Sequence, residues 1–333
     1  MSRAAELASV LADTDSLVIV CHDNPDPDCL ASALALETIA TEQDVADVQI
    51  AYGGEISHQQ NRAFVRMLDI SLQPLAETDF ADDARIAFVD HSRPGVNTEF
   101  DAAEPDIVVD HHPGPAVDAT FADVRAEYGA TATIFIEYLS DLDVELTTRL
   151  ASALLFALHR ERLDFLRNPT RREYEAALAV FPDADLPTLE QLYGSAFSAA
   201  TIDAIGRAIG SRKRRGSTMA ASVGKTTESD ALPQAADYLL NLEGVDTVLA
   251  FGVVDDTVRL SARSIDPEID IGSVLQEGFD ELGSVGGHHD MAGGRIDVKG
   301  FDGDLSADES DDVLAIVDDR LARRFFEALQ EDE

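Results

Sequence analysis

Residues 22–28 set His22, Asp26 and Asp28, with Asp23 beside them, directly after the apolar run Leu17–Val20 and directly before an Ala/Leu-rich stretch. Unpaired charge is costly to bury, so such a group needs a partner that offsets the cost, and that partner need not be protein. Two further groups end apolar runs of the same kind: Asp90–His91 and Asp110–His111–His112. Carboxylates and imidazoles without a thiolate make a mixed oxygen and nitrogen ligand set. That set suits Mn²⁺ or another octahedral divalent ion better than structural zinc. His22, Asp26, Asp28, Asp90 and His111 are enough for two ions if Asp90 bridges. Two ions ~3.5–4 Å apart can bind a phosphoryl oxygen and lower the pKa of a water between them toward ~7. Taken singly, each residue has an ordinary explanation: Asp28 alone passes as a helix N-cap. Their joint occurrence at three strand ends is much harder to attribute to capping.

The elements that must position these residues alternate along the first half of the chain. Apolar runs predict strands at 17–21, 48–52, 85–90 and 106–110, with helical patterns near 28–41, 58–69 and 130–140. That order predicts an α/β fold built on a parallel sheet with helices on both faces, and it places all three polar groups beyond the carboxyl ends of strands, where such sheets bind ligands. Residues 151–182 read as two more helices, and 183–215, with Pro, Gly, Ser and the basic run Arg212–Arg215, as a connector. Beyond it, a strand at 218–223, a helix at 231–242, a hairpin of 248–254 and 258–264 around Asp255–Asp256–Thr257, a helix near 271–281, a glycine-rich turn at 283–294 and a last helix near 310–330 predict a smaller α/β domain. The expected division is 1–185 as the metal-binding domain, 186–215 as connector and 216–333 as the substrate-binding domain, with a cleft between the two.

Composition bounds the partners. The 64 acidic residues oppose 25 basic ones, a formal charge of -39. Acids spread along the whole chain repel one another unless strongly screened, which points to a halophilic interior. A broad basic face for duplex DNA is disfavoured, because Arg and Lys cluster visibly only at 212–215. No positively charged leader and no apolar stretch of the ~20 residues needed for a membrane span is visible, so the expectation is a cytoplasmic protein without a membrane partner. Cys21 and Cys29 form neither a zinc motif nor a disulfide framework and read as small buried residues.

The segments "HDNPDPD", "VDHS" and "VDHHPG", in this order and each after an apolar run, resemble the DHH family of phosphoesterases. "GGHHDMAGG" at 286–294 resembles the glycine-histidine motif of the DHH-associated C-terminal domain. The resemblance covers nearly the full chain. It implies that His22, Asp26 and Asp90 hold one ion, that Asp28, Asp90 and His111 hold a second, and that His112 faces the scissile phosphate. Asp110 is implied to orient an imidazole. Where the family carries a further Asp after the next helix, this chain reads Leu158-His159-Arg160-Glu161-Arg162-Leu163-Asp164-Phe165. Alignment on Phe165 gives that place to Glu161, with Asp164 as the substitute. In the smaller domain the resemblance assigns substrate binding to Ser261 and Arg263 and to Gly286, Gly287 and His288. Tyr52–Gly54, His58 and Asn61–Arg62 match a family segment at the rim of the cleft, which helix capping explains almost as well.

The resulting expectation is a Mn²⁺-dependent phosphoesterase, with two ions per site, acting on a short single-stranded oligonucleotide or a small nucleotide such as pAp. Alternatives are a cyclic-dinucleotide phosphodiesterase and a non-catalytic nucleotide-binding regulator. A homodimer is an option the sequence leaves open.

Overall fold

The computed structural model describes residues 2–78, 80, 83–98, 100–101, 104–166, 169–195, 197–254, 257–297 and 310–331. The chain divides into two compact units, Met1–Ala196 and Phe197–Glu333. In the first, α1 (Arg3–Ala12), β1 (Ser16–Cys21), α2 (Pro27–Glu42), β2 (Asp47–Tyr52), α3 (Gln59–Met67), β3 (Gln73–Pro74), β4 (Arg85–Val89), β5 (Ile107–Asp110), β6 (Phe121–Val124), α4 (Thr131–Asp141), α5 (Thr148–Glu161), α6 (Arg171–Val180) and α7 (Leu186–Gly194) follow one another. The six strands form one parallel sheet in the order β3-β2-β1-β4-β5-β6, so the α/β reading holds.

Central strands of a parallel sheet are covered on both faces and therefore read as continuous apolar runs. In β1, Leu17, Ile19 and Cys21 pack under the helices, while Val18 and Val20 join Ala51, Phe88 and Val108 on the opposite face. That opposite face corrects one expectation. Among the described residues it is covered by Leu75, Phe80, Phe100, Val117 and Ala119, which belong to connections and a single 3₁₀ turn rather than to α-helices. The segments after β4 and β5 carry Pro94, Gly95, Pro105, Pro113, Gly114 and Pro115, which break helices.

The expected connector is also largely helical. Leu189 and Leu192 of α7 are buried in the first unit's core, and Ala204, Ile205 and Ala208 of α8 (Ala199–Ser211) in the second's. Pro187 sits in the first turn of α7, where its missing N–H is not needed.

The second unit continues with β7 (Lys213–Arg215), β8 (Thr218–Thr226), α9 (Ala231–Leu240), β9 (Thr247–Val254), β10 (Thr257–Ser264), α10 (Ile271–Phe279), β11 (Gly283–Gly287), β12 (Met291–Asp297) and α11 (Ser310–Glu331). Its sheet has the order β11-β12-β10-β9-β8-β7 and is antiparallel except at β8–β9. Alternating side chains divide between two cores: Met219, Ala221, Val248 and Ala250 meet α8 and α9, while Ala220, Leu249, Phe251, Leu260 and Ala262 meet α10 and α11. Residues 248–254 and 258–264 form the expected antiparallel pair, and Asp255 and Asp256 of its turn lie outside the described residues. The glycine-rich stretch 283–294 is a strand pair rather than a turn, with Gly286 opposite Gly293 and Gly287 opposite Ala292. A Cβ at Gly287 would come within 2.4 Å of the Ala292 backbone, so close strand packing accounts for that glycine. The basic run lies on and beside the edge strand β7, where Lys213 pairs with Asp319. No helix of the described residues is long and apolar enough to cross a membrane.

Candidate metal centre

Strand order reverses about β1, whose neighbours are β2 and β4, and in open α/β sheets ligands bind beyond the carboxyl ends at such a reversal. The loop after β1 carries His22. Its Nδ1 faces the Asp23 carbonyl at 2.9 Å, which leaves Nε2 free to face Asp90 Oδ2 at 3.6 Å and Asp26 Oδ1 at 4.0 Å. Asp26 N-caps α2, accepting from the N–H groups of Asp28 and Cys29 at 2.9 and 3.1 Å. Asp28, buried on the first turn, accepts from the N–H groups of Thr131 and Ala132, both at 2.8 Å, so it lies at the positive N-terminus of α4. Asp90 directly follows β4 with a left-handed φ of 64°, and the Thr131 hydroxyl donates to its Oδ1 at 2.7 Å. His111 turns Nδ1 toward the Tyr128 carbonyl at 3.3 Å and Nε2 toward Asp90 Oδ1 at 3.6 Å and Asp28 Oδ2 at 3.8 Å. Asp90 therefore faces His22 with one oxygen and His111 with the other.

These separations exceed direct hydrogen bonds and lie within what donors sharing one ion can span, since two ligands at ~2.1 Å from an octahedral centre are ~3 Å apart when cis and ~4.2 Å when trans. The electrostatics agree. Burial and then Asp90 push the Asp26 carboxyl up; burial, Asp90, Glu161 and Asp26 push Asp28 well above its usual range; burial, Asp26 and Asp90 push Glu161 up to about 7. Among the described residues the ion pairs of Asp26, Asp28 and Asp90 run only to histidines. Three crowded aspartates ion-paired only to histidines fit a divalent cation.

Around this group, Asp110 Oδ1 accepts from the backbone N–H of His112 at 2.9 Å and faces its Nδ1 at 2.8 Å. That bond pushes His112 up to about 9, while burial pushes the neighbouring His91 down to about 4. Glu161 ends α5 beside the cluster. Asp164 is exposed, accepts from the Tyr193 hydroxyl and faces His159 Nδ1 at 2.9 Å. Leu163, Asp164 and Phe165 have φ of 45°, 55° and 63°, a left-handed turn that directs the chain away after Glu161. His58 N-caps α3, and Asn61 donates to the Pro25 carbonyl at 3.1 Å, tying down the loop that carries His22 and Asp26.

Two residues at the site escaped the sequence. Cys29 joins His22 and Asp90 in a group whose ligand atoms lie within 4.8 Å of one another, as do Asp90, His111 and His112. Its signal was its place beside Asp28 on the first turn of a helix. Thr131 had a weaker one, a hydroxyl opening a helix after Gly129-Ala130. Glu173 supports that opening: it accepts from Gly129 N–H at 2.8 Å and Thr170 N–H at 2.6 Å, and a Cβ at Gly129 would collide with it. Glu173→Gln is expected to cost about 1–3 kcal/mol in urea unfolding, because one of the two buried N–H groups loses its acceptor. Burial pushes Glu173 up, but the bonds from Thr170 and Gly129 prevail and hold it below its ordinary value of 4.5. Its contribution is thus present above that value and is lost as pH falls through the lower folded one. Wild type and variant should converge in acid; a constant gap down to pH ~2 contradicts this account.

In the second unit Ser261, Gly293 and Gly286 form one cross-strand row, and Arg263 stands opposite Met291. Arg263 pairs with Asp237 at 2.9 Å and donates to Ser261 Oγ at 3.3 Å. His288 is exposed in the turn closed by its own N–H on the Met291 carbonyl at 2.7 Å.

The family description "DHH family, N-terminal domain" matches residues 16–158, and "DHHA1 domain" matches residues 216–323. The chain belongs to the DHH family. An uncharacterized protein of Methanocaldococcus jannaschii is 32% identical over 314 residues, 94% of this DHH chain but only 64% of the relative's length. A probable manganese-dependent inorganic pyrophosphatase of Listeria welshimeri is 26% identical over 78% of each chain. Among solved structures, an exopolyphosphatase-related protein from Bacteroides fragilis shares the DHH chain's fold, with a TM-score of 0.72 at 16% identity over 98% of this chain and 97% of that one.

Proposed function

We propose that the protein is a divalent-metal-dependent phosphoesterase, using Mn²⁺, that hydrolyses short oligonucleotides or small nucleotides. The observation that carries the reading is Asp90, buried, with its two oxygens directed at His22 and His111. The similarity to the probable manganese-dependent pyrophosphatase of Listeria welshimeri supports the choice of ion. His22, Asp26 and Asp90 would hold one ion, and Asp28, Asp90, His111 and Glu161 a second. Bound there, the ions would supply Lewis acidity toward a phosphoryl group and its attacking water.

The chain's own residues do the rest. Thr131 fixes the Asp90 carboxylate through its hydroxyl and Asp28 through its N–H. Asp110 holds His112 by Nδ1 and keeps its imidazole protonated at neutral pH, with Nε2 free to donate to a phosphate oxygen or to the leaving group. Ser261, Arg263 and His288, with the bare backbone of Gly286, bind the substrate. Full-length protein assayed with Mn²⁺ against short oligonucleotides, pAp, a cyclic dinucleotide and pyrophosphate tests the reading. Hydrolysis confined to pyrophosphate, or absent from the panel, overturns it.

Arg263→Ala is expected to raise KM about tenfold for substrates with a terminal phosphate and to leave kcat within about twofold, as for a residue remote from the reacting bond. The Asp237 pair would have to open or be shared for that grip, so Asp237→Asn should lower KM for the same substrates. Equal loss for substrates with and without the terminal phosphate excludes the clamp.

A further inference from the structure

Arg259 on β10 and Arg295 on β12 stand directly opposite each other. Side chains alternate along a strand, and Val258, Leu260 and Ala262 enter the core under α10 and α11, so Arg259 shares the other face with Ser261 and Arg263. Like charges facing each other across an antiparallel pair repel. With 64 acidic residues against 25 basic ones, this chain could have supplied an acid partner readily. Among the described residues neither guanidinium makes a hydrogen bond or an ion pair, and Arg259 Nε is buried with no acceptor. A buried donor without an acceptor is costly. Arg263, on the same face, is by contrast paired with Asp237.

The strip between these arginines has no side chains of its own on β11 and β12. Gly286 and Gly293 occupy the row that contains Ser261, and a Cβ at Gly286 would meet nothing within 4 Å. An extended anionic chain can therefore lie against the backbone. From Arg259 to Arg263 is four residues, about 14 Å along the strand, a length that a short run of nucleotides spans.

We propose that Arg259 and Arg295 form a phosphate-binding site that grips the backbone of an oligonucleotide at a phosphate beyond the one held by Arg263. This rests on the phosphoesterase reading and deepens it: it makes the protein selective for chains longer than a dinucleotide. Two guanidiniums on one phosphate share its charge and neutralise the repulsion between the pair. So acidic a surface gives no long-range attraction to a polyanion, so direct contact with arginine has to supply the affinity.

Binding of 3′-fluorescein-labelled oligonucleotides of two and five nucleotides, measured by anisotropy on the full-length protein in EDTA at fixed salt, tests this without hydrolysis. Arg259→Gln and Arg295→Gln should each weaken the pentanucleotide about tenfold and leave the dinucleotide unchanged, while Arg320→Gln, an exposed control, changes neither. Without ligand, Arg295→Gln should melt at or above wild type, because a repulsion has been removed. The inference fails if the double variant binds the pentanucleotide within twofold of wild type, or if wild type prefers the dinucleotide. If arginine-dependent binding is seen but no substrate is hydrolysed with Mn²⁺, the site stands and the phosphoesterase reading falls.

Discussion

Replacing Asp90 with Asn should reduce Mn²⁺-dependent hydrolysis about a thousandfold or more while leaving the fold intact. The amide keeps an oxygen to accept the Thr131 hydroxyl, so the 2.7 Å bond that fixes the side chain survives. The charge does not survive, and with the amide oxygen held by Thr131 and facing His111 the NH₂ group faces His22 where an acceptor stood. Asp90 raises the pKa of Asp26, Asp28 and Glu161, but despite burial its own is held below the ordinary range by the bond with His22 and the charges of His111 and His112. The lost pairing therefore outweighs the relieved repulsion, and the metal-free variant should melt somewhat below wild type while still folding. Calorimetric titration should show both Mn²⁺ events weakened together. Turnover near wild type, or loss of only one event, removes the shared carboxylate from the account.

The second large effect is at the end of α5. Glu161→Gln is expected to cut turnover about a hundredfold, by analogy with the loss of a group that holds or tunes a bound ion. Glu161→Asp should retain most activity, and Asp164→Asn should change little. The reason is positional: burial and then Asp26 and Asp90 push Glu161 up to about 7, whereas Asp164, inside the left-handed turn, is bound to His159 and Tyr193. Inactivation by Asp164→Asn with a harmless Glu161→Gln would mean that this turn rearranges when the protein works.

The parallel sheet was legible because β1, β4 and β5 are unbroken apolar runs ended by ligand-type residues; each strand announces its own carboxyl end. The two-sided cover of that sheet was not, because Phe80, Phe100, Val117 and Ala119 are scattered in connections with no period to read. Helices α7 and α8 hid behind Pro187, Gly194 and Gly210, which read as breakers although Pro187 lies in a first turn and the apolar positions repeat at helical spacing. At the site, charged side chains advertised themselves, but Cys29 and Thr131 did not. Their relevance comes from neighbours brought in by folding: Asp90 is 61 positions from Cys29 and 41 from Thr131. Glu173 lies farther still from Asp28, and its part is only to satisfy Gly129 N–H beside the start of α4.

The reversal of strand order about β1 also bears on how the chain assembles. β1 is joined to β4 residue by residue, Leu17 to Arg85 and Val20 to Phe88, across 68 positions. Closing so large a loop is paid in entropy before any contact returns it, and long-range parallel pairing of this kind slows folding. Until it closes, a chain emerging from synthesis holds His22, Asp26 and Asp28 without Asp90, a cluster of acids with no geometry for a cation. Divalent ions should therefore leave the folding rate nearly unchanged and slow unfolding instead, since the interactions they strengthen exist only after the last central strand has docked.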